Sequence, residues 1–282
     1  MGGLSFYNSP MKKVYVSRLA GKSMVGFLAS QGYEINTVTE YGIISEHTSD
    51  INDALGLVES EDGDLSPTRP IYVDPRIATH PDLYMCQLGL WDDAGLFFGD
   101  AEKLGPEYPN DIIYNAVCTR NYVLHLAEKT DPELKDAMVT WHRSLRRLPG
   151  EDAHREIKIL GVRQGYTRCM CLPVDDNSFI TSEDAIAKPL ESQGASVLKI
   201  SDGSIKLKGF KTGFIGGTAG NIYVSDPNNE EITDQRAIVF NGDLSVHPDF
   251  DAITEFIRSR NILPIWFEDY ALEDIGSILA VE

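Results

Sequence analysis

One phrase recurs three times along this chain: a helix end, a serine, a Gly or Asn two places later, then an apolar strand. The copies are Phe27-Leu-Ala-Ser-Gln-Gly-Tyr-Glu-Ile35, Pro189-Leu-Glu-Ser-Gln-Gly-Ala-Ser-Val197 and Phe256-Ile-Arg-Ser-Arg-Asn-Ile-Leu-Pro264. Ser30, Ser192 and Ser259 each stand two places before Gly32, Gly194 or Asn261. A helix stops where a residue tolerates the left-handed conformation, Gly first and Asn second. The same helix-to-strand corner is therefore built three times, and internal repetition constrains architecture more than any local motif.

The flanking segments give the corner a context. Strand Met170–Val174 turns at Asp175-Asp-Asn177 into strand Ser178–Thr181, then helix Asp184–Gln193 and strand Ser196–Ile200 follow. Thr218–Tyr223, Ala237–Phe240, helix Pro248–Arg260 and strand Ile262–Phe267 repeat that order. Paired strands Asp111–Cys118 and Tyr122–His125 meet at Arg120-Asn121, so that Ala116–His125 matches the hairpin; helix Thr130–Leu148 and strand Ile157–Val162 come after it. Two poorer copies lie near residues 12–45 and 71–98, where Ile71–Val73 and Leu96–Phe98 read as strands. Between them Asp50–Arg69 is acidic and loop-like, and Val224–Gln235 reads as a hairpin extension. Strands arriving in hairpins, not singly between helices, disfavour a doubly wound sheet. The expectation is an α/β fold: five ββαβ modules closed into an α/β propeller, a single domain over residues 1–282, since closure leaves few unprotected strand edges.

Composition narrows the function classes. With 25 basic against 43 acidic residues the net charge is −18, a field that repels phosphate backbones and anionic lipid. No nucleic-acid partner and no membrane partner are expected. No apolar run approaches a spanning length, and Met1-Gly-Gly-Leu-Ser-Phe6 has neither the basic flank nor the apolar core of a signal peptide. Four cysteines, Cys86, Cys118, Cys169 and Cys171, make no disulfide framework in 282 residues. A cytoplasmic location is expected, and the oligomeric state is left open.

Several residues carry possible chemistry. His-Pro-Asp occurs twice, as His80-Pro81-Asp82 and His247-Pro248-Asp249. In the second copy Pro248 suits a first helical turn and Asp249 suits the helix dipole. Alternatively, an imidazole and a carboxylate two residues apart act together, one on protons and one on a cation. Cys169 and Cys171, two apart on one strand, would share a face, so a pocket reached by one would be lined by both. Arg168 beside Cys169 would lower the thiol pKa and favour a nucleophile. Inert core packing is the plainer alternative for all four thiols. Gly213-Phe-Ile-Gly-Gly-Thr-Ala-Gly220 lacks the spacing of a phosphate loop and implies close backbone approach. Acids placed at strand ends, Asp74, Asp243 and Asp274, would form a well for an amine or guanidinium if they converge.

As a set, Gln164-Gly-Tyr166, Cys169, Phe179-Ile-Thr181, Gly213-Phe-Ile-Gly-Gly217, Phe240-Asn-Gly-Asp243, His247-Pro-Asp249 and Asp274-Ile-Gly-Ser277 resemble an uncharacterised bacterial family. That family is grouped with the guanidino-group-modifying enzymes, the pentein fold of arginine deiminases and amidinotransferases. The resemblance implies a five-module propeller, maps a His-x-Asp pair onto His247 and Asp249, and maps substrate-binding acids loosely onto Asp74 and Asp82. Relatives of that kind carry a nucleophilic cysteine near the C-terminus, whereas the tail Asp274–Glu282 has none. The expected function is thus a hydrolase or amidinotransferase-like activity on a small cationic guanidino or amine-type ligand. Cys169, His247 and Asp249 would be catalytic, and His80, Asp82, Asp74, Asp243 and Asp274 would bind substrate, with no cofactor and no metal. Two alternatives stand beside it: an inactive pentein-fold binder, and a metal-dependent hydrolase using His80, His247 and nearby Asp residues.

Overall fold

The computed structural model describes residues 4–5, 12–45, 48, 57–59, 65–67, 71–145, 156–225 and 234–281. Most of the acidic stretch 50–69, the tip of the 224–235 hairpin and the end of the helix read to Leu148 lie outside those residues. The fold is mixed α/β, with several small sheets and six α-helices among the described residues, and no sheet closes into a barrel. Among those residues no helix is long and apolar enough to cross a membrane.

The repeated corner is present in all three copies. Gly32, Gly194 and Asn261 have φ of 83°, 84° and 57°. The serine two places earlier donates its hydroxyl to the carbonyl three residues back, from Ser30 to Phe27, Ser192 to Pro189 and Ser259 to Phe256, at 2.6–2.8 Å. Each corner returns the chain parallel to the strand before the helix. Lys13–Ser17 and Glu34–Val38 flank helix Lys22–Ser30, Ser178–Thr181 and Ser196–Lys199 flank helix Asp184–Ser192, and Gln235–Phe240 and Leu263–Ile265 flank helix Phe250–Arg258. A fourth unit pairs Tyr122–His125 with Lys158–Gly161 across helix Pro132–Leu145.

Each unit gains an antiparallel leading strand. These are Val117–Cys118, Cys171–Pro173 and Ala219–Val224 for the three later units. For the first unit the leading strand is Leu279–Val281, so the C-terminal strand completes the N-terminal unit. The poor copy near residues 12–45 is therefore a full one, finished from the far end of the chain. The copy near 71–98 is a hairpin, Met85–Leu88 with Gly95–Phe98, to which Leu4–Ser5 adds an antiparallel edge. Among the described residues no α-helix follows it within the unit as in the other copies.

Two strand readings are corrected. Residues 71–73 are not a strand but lead into turns, where Asp74 accepts the Arg76 N–H. Of the segment 111–118, only Val117–Cys118 is strand, because Asn115 closes a turn onto the Ile112 carbonyl.

Packing joins the units in sequence. Successive strand residues face opposite sides, so each central strand feeds two apolar clusters. Val123 and Leu124 enter separate clusters, Phe179 shares the Leu124 cluster, and Ile180 enters the next. Ile238 shares the Ile180 cluster, while Val239 joins Val14. Tyr15 then meets Leu96, and Phe97 returns to the Val123 cluster. Five clusters thus link the units in turn and lead back to the first, and Leu90 and Trp91 bring a third unit into the Ile180 and Ile238 cluster.

Candidate functional site

The leading strands all start from the same inner region, and their entry residues meet there. Asn115, Cys169, Gly217 and Ser277 each lie two places before a leading strand, and Asp82 lies three before Met85. Cys169 Sγ donates to Asp82 Oδ2 at 3.0 Å, and Ser277 Oγ donates to the same oxygen at 2.7 Å. Asn115 Nδ2 donates to the Asp82 carbonyl at 3.2 Å and to Cys169 Sγ at 3.4 Å. The Ser277 and Ile275 N–H groups reach the Gly217 carbonyl, and the Asp82 N–H reaches that of Gly276. A polar network therefore links the entries of the five leading strands.

Backbone closeness is what glycine supplies here. A Cβ on Gly216 would lie 2.1 Å from the Arg168 carbonyl, and one on Gly217 would lie 1.9 Å from the Asp274 carboxylate. The glycine-dense run thus brings backbone against neighbours, as its composition implies. Gly276 has φ of 76° and a Cβ there would strike His80 at 2.2 Å. Gly276→Ala is expected to cost about 2–5 kcal/mol, combining backbone strain with overpacking. Urea denaturation of the variant measures it.

Next to this network lies a cavity of about 130 Å³. Ile77, Leu207, Phe210 and Phe214 form its apolar walls, and His80, Tyr166, Cys169, Thr212 and Asp274 supply polar atoms. A larger cavity of about 390 Å³, between Val123 and Ile159, has basic and apolar walls and no hydroxyl or thiol among its described lining residues. The smaller of these two joins a thiol, an imidazole and a carboxyl group.

Burial governs the charge states. It pushes the Asp274 carboxyl up to about 7, with the Asp82 charge adding, although the Gly276 and Phe214 N–H groups donate to Asp274 at 3.0 and 2.9 Å. Burial likewise pushes His80 down to about 4, against the pull of Asp82. The imidazole is therefore neutral at neutral pH. Burial, then the Asp82 and Asp274 charges, hold the Cys169 thiol well above its ordinary range. The Arg168 charge attracts the thiolate, as the sequence suggests, but does not outweigh burial and the two carboxylates. Its guanidinium turns away and donates to the Gly216 and Ala219 carbonyls at 2.9 and 3.2 Å.

The expected site residues separate into two groups. Cys169, His80, Asp82 and Asp274 come together. His247 and Asp249 do not line this cavity: Nδ1 of His247 accepts the Asp249 N–H at 3.0 Å, and Asp249 Oδ2 accepts the Ser201 N–H at 2.6 Å. The two His-Pro-Asp copies do not occupy corresponding positions. The first enters a leading strand, with Pro81 opening the short helix Pro81–Tyr84. The second precedes the long helix Phe250–Arg258, where Asp249 is the residue before the helix and Pro248 lies outside it.

Asp243 accepts from the N–H and hydroxyl of Ser245, capping a turn. Asp74 forms an ion pair with Arg76, whose guanidinium stacks 4.1 Å from the Phe210 ring centroid beside the cavity. Cys171 and Cys169 do not share a face. Residues Thr167–Met170 form a helical turn, so Cys171 packs with Phe179 and Leu190 instead. Among the described residues no three His, Cys, Asp or Glu side chains form a metal-ligating group. His80 and His247 are not a common ligand set.

Residues 96–279 match the model of a family of unknown function (DUF6873). The chain belongs to this family. No curated protein and no solved structure matches it. The matched DUF6873 segment contains Asn115, Cys169, Gly217, Asp274 and Ser277, whereas His80 and Asp82 precede it. Asn115 belongs to no motif, and Ser277 only closes the segment Asp274-Ile-Gly-Ser277 without a role assigned to it. What marks them is their place two residues before a leading strand, which is legible only once the strand starts are known.

Proposed function

We propose that the chain is a five-module α/β propeller whose hub binds a small flat cation of the amidinium or guanidinium class and acts on its carbon–nitrogen bond. The observation that carries this reading is the juxtaposition of Cys169, His80 and Asp274 in one cavity, with Asp82 hydrogen-bonded behind the thiol. A planar cation fits such a cavity because aromatic walls accept its face and carboxylates accept its N–H groups. The succession of shared clusters leading back to the first unit supports the five-module arrangement.

In this reading Cys169 is the nucleophile and His80, not His247, handles protons. Two carboxylates oppose thiolate formation in the empty cavity, and a bound cation offsets them. Cys169 Sγ forms a bond to the central carbon as its proton passes to Asp82 or His80. The C–N bond then breaks, and the leaving nitrogen takes up a proton. Water adds to the resulting thioimidate-type carbon, the C–S bond breaks, and the thiol is restored. The products for a guanidino substrate are the ureido compound and ammonia or an amine.

The test is covalent labelling by 2-chloroacetamidine followed by peptide mapping. Label is expected at Cys169 and is expected to vanish in Cys169→Ala. Equal label in that variant counts against the assignment.

The raised Cys169 thiol favours a second reading, binding without turnover. Calorimetry combined with an ammonia assay over a panel of guanidino compounds separates the two. Binding with no ammonia release supports the binder, and release that depends on Cys169 supports the enzyme.

A further inference from the structure

Asn115 sits where three units touch, with only 2% of its surface exposed. Its Oδ1 accepts the Arg168 N–H at 2.6 Å. That contact fixes the amide's orientation: a flipped side chain would aim NH₂ at the Arg168 N–H and oxygen at the Asp82 carbonyl. The NH₂ group is thereby directed at the Asp82 carbonyl and at Cys169 Sγ. We infer that Asn115 is a positioning residue for Cys169, holding the sulfur beside Asp82 and supplying the hydrogen bond that favours its thiolate.

This inference rests on the reading of Cys169 as the reactive thiol, and it extends that reading to a residue outside the cavity wall. The groups around the sulfur make the role specific. Asp82 and Asp274 oppose ionisation, and Asn115 favours it. Tyr166 and Arg168 also interact with the sulfur electrostatically, and His80 shares its cavity. Arg168 is engaged with two carbonyls, so the Asn115 amide is the donor directed at sulfur among the described residues. An amide with one orientation enforced by a backbone N–H is a pre-organised donor. It keeps its place whether the sulfur is protonated or not.

The test uses the full chain and a neutral reagent, iodoacetamide, with the Cys169 alkylation rate followed across pH by peptide mapping. Asn115→Ala removes the donor. Asn115→Asp keeps an acceptor for the Arg168 N–H but places an oxygen toward sulfur. At a fixed pH below the thiol pKa, Cys169 is expected to react about three- to tenfold more slowly in the first variant and at least tenfold more slowly in the second. Its pH profile is expected to move upward, while Cys86, Cys118 and Cys171 stay unreactive as reporters of the intact fold.

An unchanged Cys169 profile in either folded variant overturns the inference. If neither variant folds, the wild-type Asn115 side-chain amide is followed by NMR. Its resonances are expected to titrate in step with Cys169 alkylation, and flat resonances overturn the inference. The neutral reagent separates this outcome from that of the proposed function. An Asn115-dependent profile with no preference for the amidine keeps the inference and sinks the cation site, and the reverse pattern does the opposite.

Discussion

An Arg168→Met variant is expected to lose about 3–5 kcal/mol of unfolding free energy at pH 8, the scale of a buried charge stripped of its counter-charge. Arg168 is 4% exposed, and burial holds its pKa below the usual arginine value, with the Asp82 charge opposing that effect. Its guanidinium gives two hydrogen bonds to the entry of the leading strand at Ala219. Each of those carbonyls keeps a backbone donor, the Ala219 N–H for Gly216 and the Ile278 N–H for Ala219. The larger loss is therefore electrostatic: Asp82, whose charge already repels that of Asp274, loses the Arg168 cation it interacts with. Acid relieves that deficit by protonating a carboxylate, so the penalty is expected to shrink toward pH 5. Guanidinium denaturation at both pH values measures it. An equal loss at both would place the role of Arg168 in packing alone.

The second large effect concerns Asp274. Its carboxyl titrates near 3.8 in the unfolded chain and at about 7 in the fold. Between those values the folded chain holds a proton that the unfolded chain releases. Unfolding free energy therefore falls as pH rises through that window and levels off above it. The full difference is on the order of 4 kcal/mol at 1.36 kcal/mol per pKa unit.

Asp274→Asn removes this slope. It also sets an NH₂ group against the N–H of Phe214 or Gly276, at a cost of about 1–3 kcal/mol. The variant is expected to be less stable than the parent near pH 4 and more stable near pH 8. Urea titrations across that range measure the crossing, and parallel curves would show that Asp274 is not the buried acid described.

Much of this architecture was legible, for a physical reason. The corner at Gly32, Gly194 and Asn261 depends on local backbone conformation, and local conformation is written in adjacent residues. The Gly213–Gly220 run declared close approach through its lack of side chains. Pairing between distant strands was not legible, because no adjacent residue encodes it. Leu279–Val281 completes the N-terminal unit, and nothing near Lys13 announces that.

The same limit divided the candidate site. The His-Pro-Asp tripeptide, the thiol before a strand and the strand-end acid single out His80, Asp82, Cys169 and Asp274, and the structure brings these four together. His247 and Asp249 shared a tripeptide with His80 and Asp82 but not their place, since one copy starts a long outer helix and the other enters a leading strand. Asn115 was hidden inside a segment whose alternation reads as strand. The helical turn at Thr167–Met170 separated Cys169 from Cys171 against a period-two reading. The last two outcomes turn on where a strand begins, because a start displaced by one residue turns every side chain to the other face.

In the proposed function the Cys169 cavity prefers a flat cation to its neutral isostere. The direct measurement is the ratio of Cys169 alkylation rates by 2-chloroacetamidine and 2-chloroacetamide, each normalised to a small free thiol. A ratio of at least about tenfold is predicted at pH 8, where Asp274 is ionised, falling as pH drops through about 7 and its carboxylate is protonated. A ratio equal to that of the free thiol at every pH would contradict it.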